Sequence, residues 1–168
     1  MARMSNVVQL DNMRIVFRNF NGRKMQYNQE GDRNFAVVFK DQDLAQRLAD
    51  EGYNVKFKPP REEGELPFMF LKVKLKYNSE RPGSNPSIYL RSGSNMVLLN
   101  EQTVGCLDDI TIDHVDLDIR PYDYIGRDGT PGRTAYLQSM MVVQVVNRFA
   151  SEFEAMTNHS DNKDDIQF

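Results

Sequence analysis

Three lysines stand at alternate positions in FMFLKVKLKY (68–77): Lys72, Lys74 and Lys76. In an extended chain that spacing sends all three to one face, while Leu71, Val73, Leu75 and Tyr77 turn to the other. Like charges in a row repel, so this face needs water or an anion beside it. Water alone would satisfy it, but bases and rings are interleaved again elsewhere. RIVFRNFNGRKMQY carries Arg14, Phe17, Arg18, Phe20, Arg23, Lys24 and Tyr27; YNVKFK carries Tyr53, Lys56, Phe57 and Lys58; IYLRSG adds Tyr89 and Arg91. Cations meet phosphates and flat rings stack on bases, each stacked base contributing about 1–3 kcal/mol, so the mixture suits a single nucleic-acid strand. The candidate strand-binding residues are Lys72, Lys74, Lys76, Arg18, Phe20, Arg23, Lys24, Tyr27, Tyr53, Lys56, Lys58, Tyr77, Tyr89 and Arg91. Phe17, Phe35, Phe39 and Phe70 lie inside apolar runs and are expected in the core.

A second set of residues points to different chemistry. IDHVDLDIRPYDY holds Asp113, Asp116, Asp118 and Asp123, and carboxylates can hold the magnesium of a nuclease. Strand alternation weakens that reading, because it turns Asp113 away from Asp116 and Asp118. It also sets His114 and Arg120 beside that pair, which makes a charge ladder. Ser92, Ser94 and Cys106 have no adjacent histidine to activate them, and no phosphate-binding glycine loop precedes a helix. We therefore expect no enzymatic activity, no cofactor and no metal, with a metal-dependent nuclease using Asp116 and Asp118 as the least favoured reading.

Two histidines and one cysteine are too few for a structural zinc site, and the lone cysteine fits a reducing interior. No apolar run reaches the roughly 18 residues of a membrane span, and the N-terminal stretch lacks the apolar segment of a secretory signal. These features predict a cytoplasmic protein with no membrane partner. The net charge of −3 is unevenly placed: residues 151–168 carry −4 and residues 1–150 carry +1. A near-neutral body of 1–150 followed by a flexible acidic tail of 151–168 is the pattern of an interaction tail.

The elements that would position the basic and aromatic residues are short and β-rich. Strands are expected over 13–20, 34–39, 53–58 and 68–77, over 88–99 with a break at Gly93, over 110–124 ending at Pro121, and over 134–146. DQDLAQRLADEG (41–52) reads as a helix capped by Asp41 and stopped by Gly52, and 100–109 as room for one helical turn. Six or seven strands with one or two short helices predict a mainly β fold, a small mixed or closed β-barrel of which an OB-like barrel with insertions is the best reading; strand order alone does not establish closure. The pattern does not determine oligomeric state; a homo-oligomer is compatible with it.

The chain finishes DDIQF. Asp164, Asp165, Ile166 and Phe168 resemble the C-terminal tip of the bacterial single-stranded DNA-binding protein family, an acidic run followed by Ile-Pro-Phe, with Gln167 in place of the proline. That resemblance implies that the tip docks into basic-rimmed apolar pockets on replication, recombination and repair proteins. Physically, Phe fills the pocket and the carboxylates meet its bases. The body is similar to a phage-encoded family of OB-fold proteins that bind single-stranded DNA. The stretches FRNFNGRKMQYNQEGDRNFAVVF, LADEGYNVK, VDLDIRPYDY and AYLQSMMV carry the likeness. It implies a strand-binding protein of phage replication or recombination in the bacterial cytoplasm, with little sequence preference. The alternative is a phage interaction protein that uses the tip to occupy host pockets and binds no DNA.

Overall fold

The computed structural model describes residues 7–26, 28–60, 62–64, 68–78 and 80–146. In chain order its strands are β1 (Val8–Asn19), β2 (Arg33–Phe39), β3 (Lys56–Lys58), β4 (Phe68–Leu75), β5 (Ser87–Ser92), β6 (Asn95–Leu99), β7 (Ile112–Ile125) and β8 (Pro131–Gln144). One helix, α1 (Gln42–Asp50), lies between β2 and β3. The sheet runs β3-β4-β2-β1-β7-β8-β5-β6, and β4 also meets β8. That last contact is parallel, through Val73↔Ala135 and Lys74↔Tyr136, and it closes β1, β2, β4, β8 and β7 into a barrel. Five strands in this order are the OB arrangement, so the expected mainly β, OB-like barrel is the fold. The insertions are α1 with β3, and the β5–β6 hairpin with a 3-10 helix, Val104–Asp108.

Period-2 alternation builds the interior. Phe35, Val37 and Phe39 of β2, Leu71, Val73 and Leu75 of β4, and Val115, Leu117 and Ile119 of β7 are all buried. The alternation slips at bulges, each of which inserts one residue and flips the faces beyond it. In β1 the inward residues are Leu10, then Met13 and Ile15, because the register shifts after Leu10 where Asn12 takes φ 55°. In β8 they are Leu137, then Met140, opposite the shift between Asp118 and Ile119.

The expected helix forms as its sequence dictates. The Asp41 carboxylate accepts the N–H groups of Asp43 and Leu44. At the other end Gly52 takes φ 102°, its N–H donating to Ala49 O and that of Tyr53 to Leu48 O, the paired bonds of a Schellman stop. Several boundaries differ from expectation: β1 begins at Val8 and β8 at Pro131, ahead of the expected 13 and 134. Pro121 does not end its strand: β7 continues to Ile125, paired with β8 all the way, and among the described residues β1 pairs with β7 only as far as Ile119. The break at Gly93 is the turn of the β5–β6 hairpin. Residues 53–55 precede β3 instead of belonging to it, because the helix stop holds Tyr53.

Candidate nucleic-acid interface

The outer face of β4 presents Phe68, Phe70, Lys72 and Lys74, with Lys76 exposed just past its end, while Met69, Leu71, Val73 and Leu75 fill the barrel. Its neighbours widen this face. On β3, Lys56 stands opposite Phe70 and Lys58 opposite Phe68, with Lys58 Nζ 5.6 Å from the Phe70 ring centroid. On β2, Asn34 stands opposite Lys74, and on β8 Tyr136 stands beside the same lysine.

Three depressions meet on β4. The first, about 620 Å³, lies between Lys56, Phe57, Lys58 and Phe70 on one side and Tyr124, Arg133 and Thr134 on the other. The second, about 450 Å³, is bounded by Arg33, Asn34, Lys76, Tyr77 and Tyr136, with Asp32 and Glu101 at its edge. The third, about 440 Å³, is the most apolar in its walls: Phe17, Met25, Phe35, Ala36 and Phe70. Lys72 borders all three and Lys74 the first two, so the striped strand forms the ridge at which they join.

A bulge supplies the ring that defines the third depression. The β1–β2 register shifts between Val16 and Asn19, and Phe17 sits there at φ 53°. The extra residue turns Phe17 outward, 62% exposed, with its ring 5.6 Å from Phe70 and 6.5 Å from Phe68. A phenylalanine with positive φ is strained, and such strain persists where the surroundings hold it. Here the following loop, 20–32, is pinned on both sides. Asp108 of the 3-10 helix accepts the N–H groups of Phe20 and Asn21, at 2.8 and 3.1 Å. The buried Asn19 amide accepts the Arg23 N–H and donates to the Arg23 carbonyl.

At the opposite wall, the Tyr124 ring lies across Gly132, where any Cβ would collide with it. Tyr122 meets Tyr136 edge-on at 5.9 Å. Arg133 donates to Asp123 at 2.7 Å; this hydrogen bond holds the Asp123 carboxyl below its usual range and raises the guanidinium further.

Of the residues expected to bind a strand, Lys56, Lys58, Lys72, Lys74, Lys76 and Tyr77 come together around these depressions. Arg23 and Lys24 stay exposed in the 20–32 loop. Arg18 borders the third depression, but its Nη1 donates to the carbonyls of Leu107 and Ile110, at 2.6 and 2.7 Å, so it also ties β1 to the 3-10 helix and the segment after it. Tyr89 and Arg91 are exposed on the β5–β6 hairpin and border none of the three. Two expectations are corrected. Phe20 is 0% exposed, because the bulge at Phe17 turns it inward to stack on Phe35 at 5.1 Å. Tyr53 is 4% exposed, because it closes the helix stop over Leu48. Conversely Phe17 and Phe70, expected in the core, stand on the face. Phe57, noted in YNVKFK but not among the candidates, joins it, as do Tyr124, Tyr136 and Arg33, which were not singled out. Their signal was strand pairing, which places them beside β4 from distant parts of the chain.

Tyr27 and the tip residues Asp164, Asp165, Ile166 and Phe168 lie outside the described residues, as does the segment 151–168. The carboxylates of β7 have other partners: Asp113 binds His114 at 2.6 Å, Asp116 accepts the Asn12 N–H and Asp118 the Ser139 hydroxyl. Among the described residues no three histidine, cysteine or acidic side chains converge, and no helix is long and apolar enough to cross a membrane.

An OB barrel whose β2–β4 face carries cations and exposed rings belongs to the class of oligonucleotide-binding modules. The chain belongs to the family described as "Putative phage ssDNA-binding domain", whose model matches residues 1–167. Its fold is shared by the single-stranded DNA-binding protein of bacteriophage Enc34. In the C-terminally truncated form the TM-score is 0.52 at 12% identity, covering 88% of this chain and 94% of that one. In the structure of the Enc34 protein with ssDNA the TM-score is 0.52 at 11% identity, covering 86% and 89%. The gp2.5 single-stranded DNA-binding protein of bacteriophage T7 aligns over 98% of both chains, with a TM-score of 0.46 and 10% identity. No curated protein sequence matches the chain.

Proposed function

We propose that the protein is a non-enzymatic single-stranded DNA-binding protein of phage replication or recombination, acting in the bacterial cytoplasm. The observation that carries this reading is the junction of three ring-walled depressions on Lys72 and Lys74. Cations there neutralise phosphates, and Phe17, Phe57, Phe70, Tyr77, Tyr124 and Tyr136 offer faces or edges to bases. Because every base has a π-face, this mode tolerates most sequences. Family membership and the Enc34 complex with ssDNA support the choice of ligand. The segment 151–168, with its net charge of −4, acts as a second module: Asp164, Asp165, Ile166 and Phe168 dock on replication, recombination or repair proteins. In the absence of DNA the same acids compete for the basic face. Self-association through the exposed β6 edge, where Met96, Val97 and Leu98 face solvent, is compatible with this arrangement.

The test is fluorescence anisotropy of a labelled oligo(dT) against a duplex of equal length, across a salt series. Tight single-strand binding that weakens steeply with salt is the expected result. No single-strand binding at low salt would overturn the reading and leave the tip as the molecule's working part.

A further inference from the structure

Asn34, which borders the third depression, carries a polar atom whose orientation can be deduced and which has no partner among the described residues. The Asn28 Nδ2 group faces three carbonyl oxygens, of Arg23, Gln29 and Asp32, at 2.8, 3.0 and 3.0 Å. Only the amide nitrogen can face three acceptors, so the Asn28 Oδ1 must face the other way. There it meets Asn34 at 2.7 Å, and an oxygen at that distance requires a donor, so Asn34 turns its Nδ2 towards Asn28. The Asn34 Oδ1 is thereby fixed as an acceptor, and among the described residues no donor reaches it.

The setting of that oxygen gives it a use. Asn34 is on β2 opposite Lys74 and borders both the apolar third depression and the cationic second one. The other asparagines of the third depression, Asn19 and Asn28, are held by loop backbone, Gln26 has an interaction of its own, and Arg18 and Lys72 are only donors. A base that leaves the stack and enters against Phe17, Met25 and Phe70 would therefore meet the Asn34 acceptor, fixed in its orientation, at its edge. An exocyclic amino group satisfies it, as in cytosine. Thymine presents a carbonyl oxygen at the same position, so two acceptors would face each other.

We infer that this depression is a base subsite in which Asn34 favours an amino-bearing base over thymine. The inference rests on the single-strand reading above and adds to it a bias at one nucleotide on otherwise sequence-tolerant binding.

The experiment uses the full chain at mildly alkaline pH and three homopolymers of equal length: oligo(dC), oligo(dT) and an oligomer of 2-pyrimidinone deoxynucleotides, which is cytosine without its amino group. Oligo(dC) should bind about threefold to tenfold more tightly than either of the others, the range of one neutral hydrogen bond. In Asn34→Leu the three affinities should converge. Equal affinities in the unaltered protein would overturn the subsite, as would a preference that survives Asn34→Leu. If Asn34→Leu fails to fold, the cytosine-to-pyrimidinone comparison decides alone. Failure of all three oligomers to bind would instead strike the single-strand reading itself, so the two failures are distinguishable.

Discussion

Two phenylalanines three residues apart, Phe17 on β1 and Phe20 just beyond its end, have exchanged the roles that their neighbours suggest. Phe17 lies in a run of apolar residues and Phe20 nearer a loop, yet Phe17 is 62% and Phe20 0% exposed. A single bulge accounts for both, because inserting one residue flips every later side chain to the other face. The residue types of the interface were legible in the sequence; which ring faces out was not, since a bulge leaves no compositional mark at an Ile-Val-Phe-Arg run. The exchange makes opposite demands on the two positions. Phe17→Ala should weaken oligo(dT) binding by about tenfold, within the energy of one stacked base, and leave the urea midpoint nearly unchanged. Phe20→Ala should cost about 3–5 kcal/mol in unfolding measurements, as a large buried ring does. Tyr53 gives a second residue-level outcome. Its hydroxyl is buried with no hydrogen-bond partner among the described residues, and burial raises the phenol above its ordinary 10.0, the nearby Arg133 opposing. Above about pH 10 the unfolded chain loses this proton first, so stability falls as pH rises. Tyr53→Phe removes both the orphaned hydroxyl and the titration. It should be at least as stable at pH 7 and should show a shallower loss of urea midpoint between about pH 9 and 11.

At the scale of elements, β4 is the strand whose sequence is most transparent. It has no bulge against β2, so lysines at alternate positions emerge on one face and aliphatic residues on the other, as its spacing predicts. The α1 caps were equally readable, because capping depends on local backbone chemistry. β7 was less so: a proline ends most strands, yet this one continues to Ile125 on the ladder it makes with β8. The ridge formed by β4 can be tested through salt. Each lost phosphate contact lowers the slope of log affinity against log salt by about 0.7 for a single strand. Replacing Lys72 and Lys74 together with alanine should flatten the slope by about 1.4. Arg91→Ala, on the β5–β6 hairpin and away from all three depressions, should leave it unchanged. Equal effects from Arg91 and the two lysines would mean that the strand runs over β5 and not over β4.

The whole molecule sets a neutral body against an acidic end, and the two are legible to different degrees. Barrel closure depends on a parallel contact between residues 73–74 and 135–136. Pairing at that separation has no local signature, so the strand count suggested a barrel without giving its order. The charge imbalance, by contrast, is plain in the sequence: −4 over residues 151–168 and +1 over the rest. If those acids compete with phosphates for the β4 ridge, the competition is electrostatic and intramolecular, and salt must govern it. Removing residues 151–168 should then tighten oligo(dT) binding several-fold at about 0.05 M salt. The gain should shrink towards nothing near 0.5 M, where screening cuts charge interactions to a few ångströms. A chain whose affinity is unchanged by the deletion at low salt would separate the two modules. The tip would then serve protein partners alone, and the lysines of β4 would bind DNA unopposed.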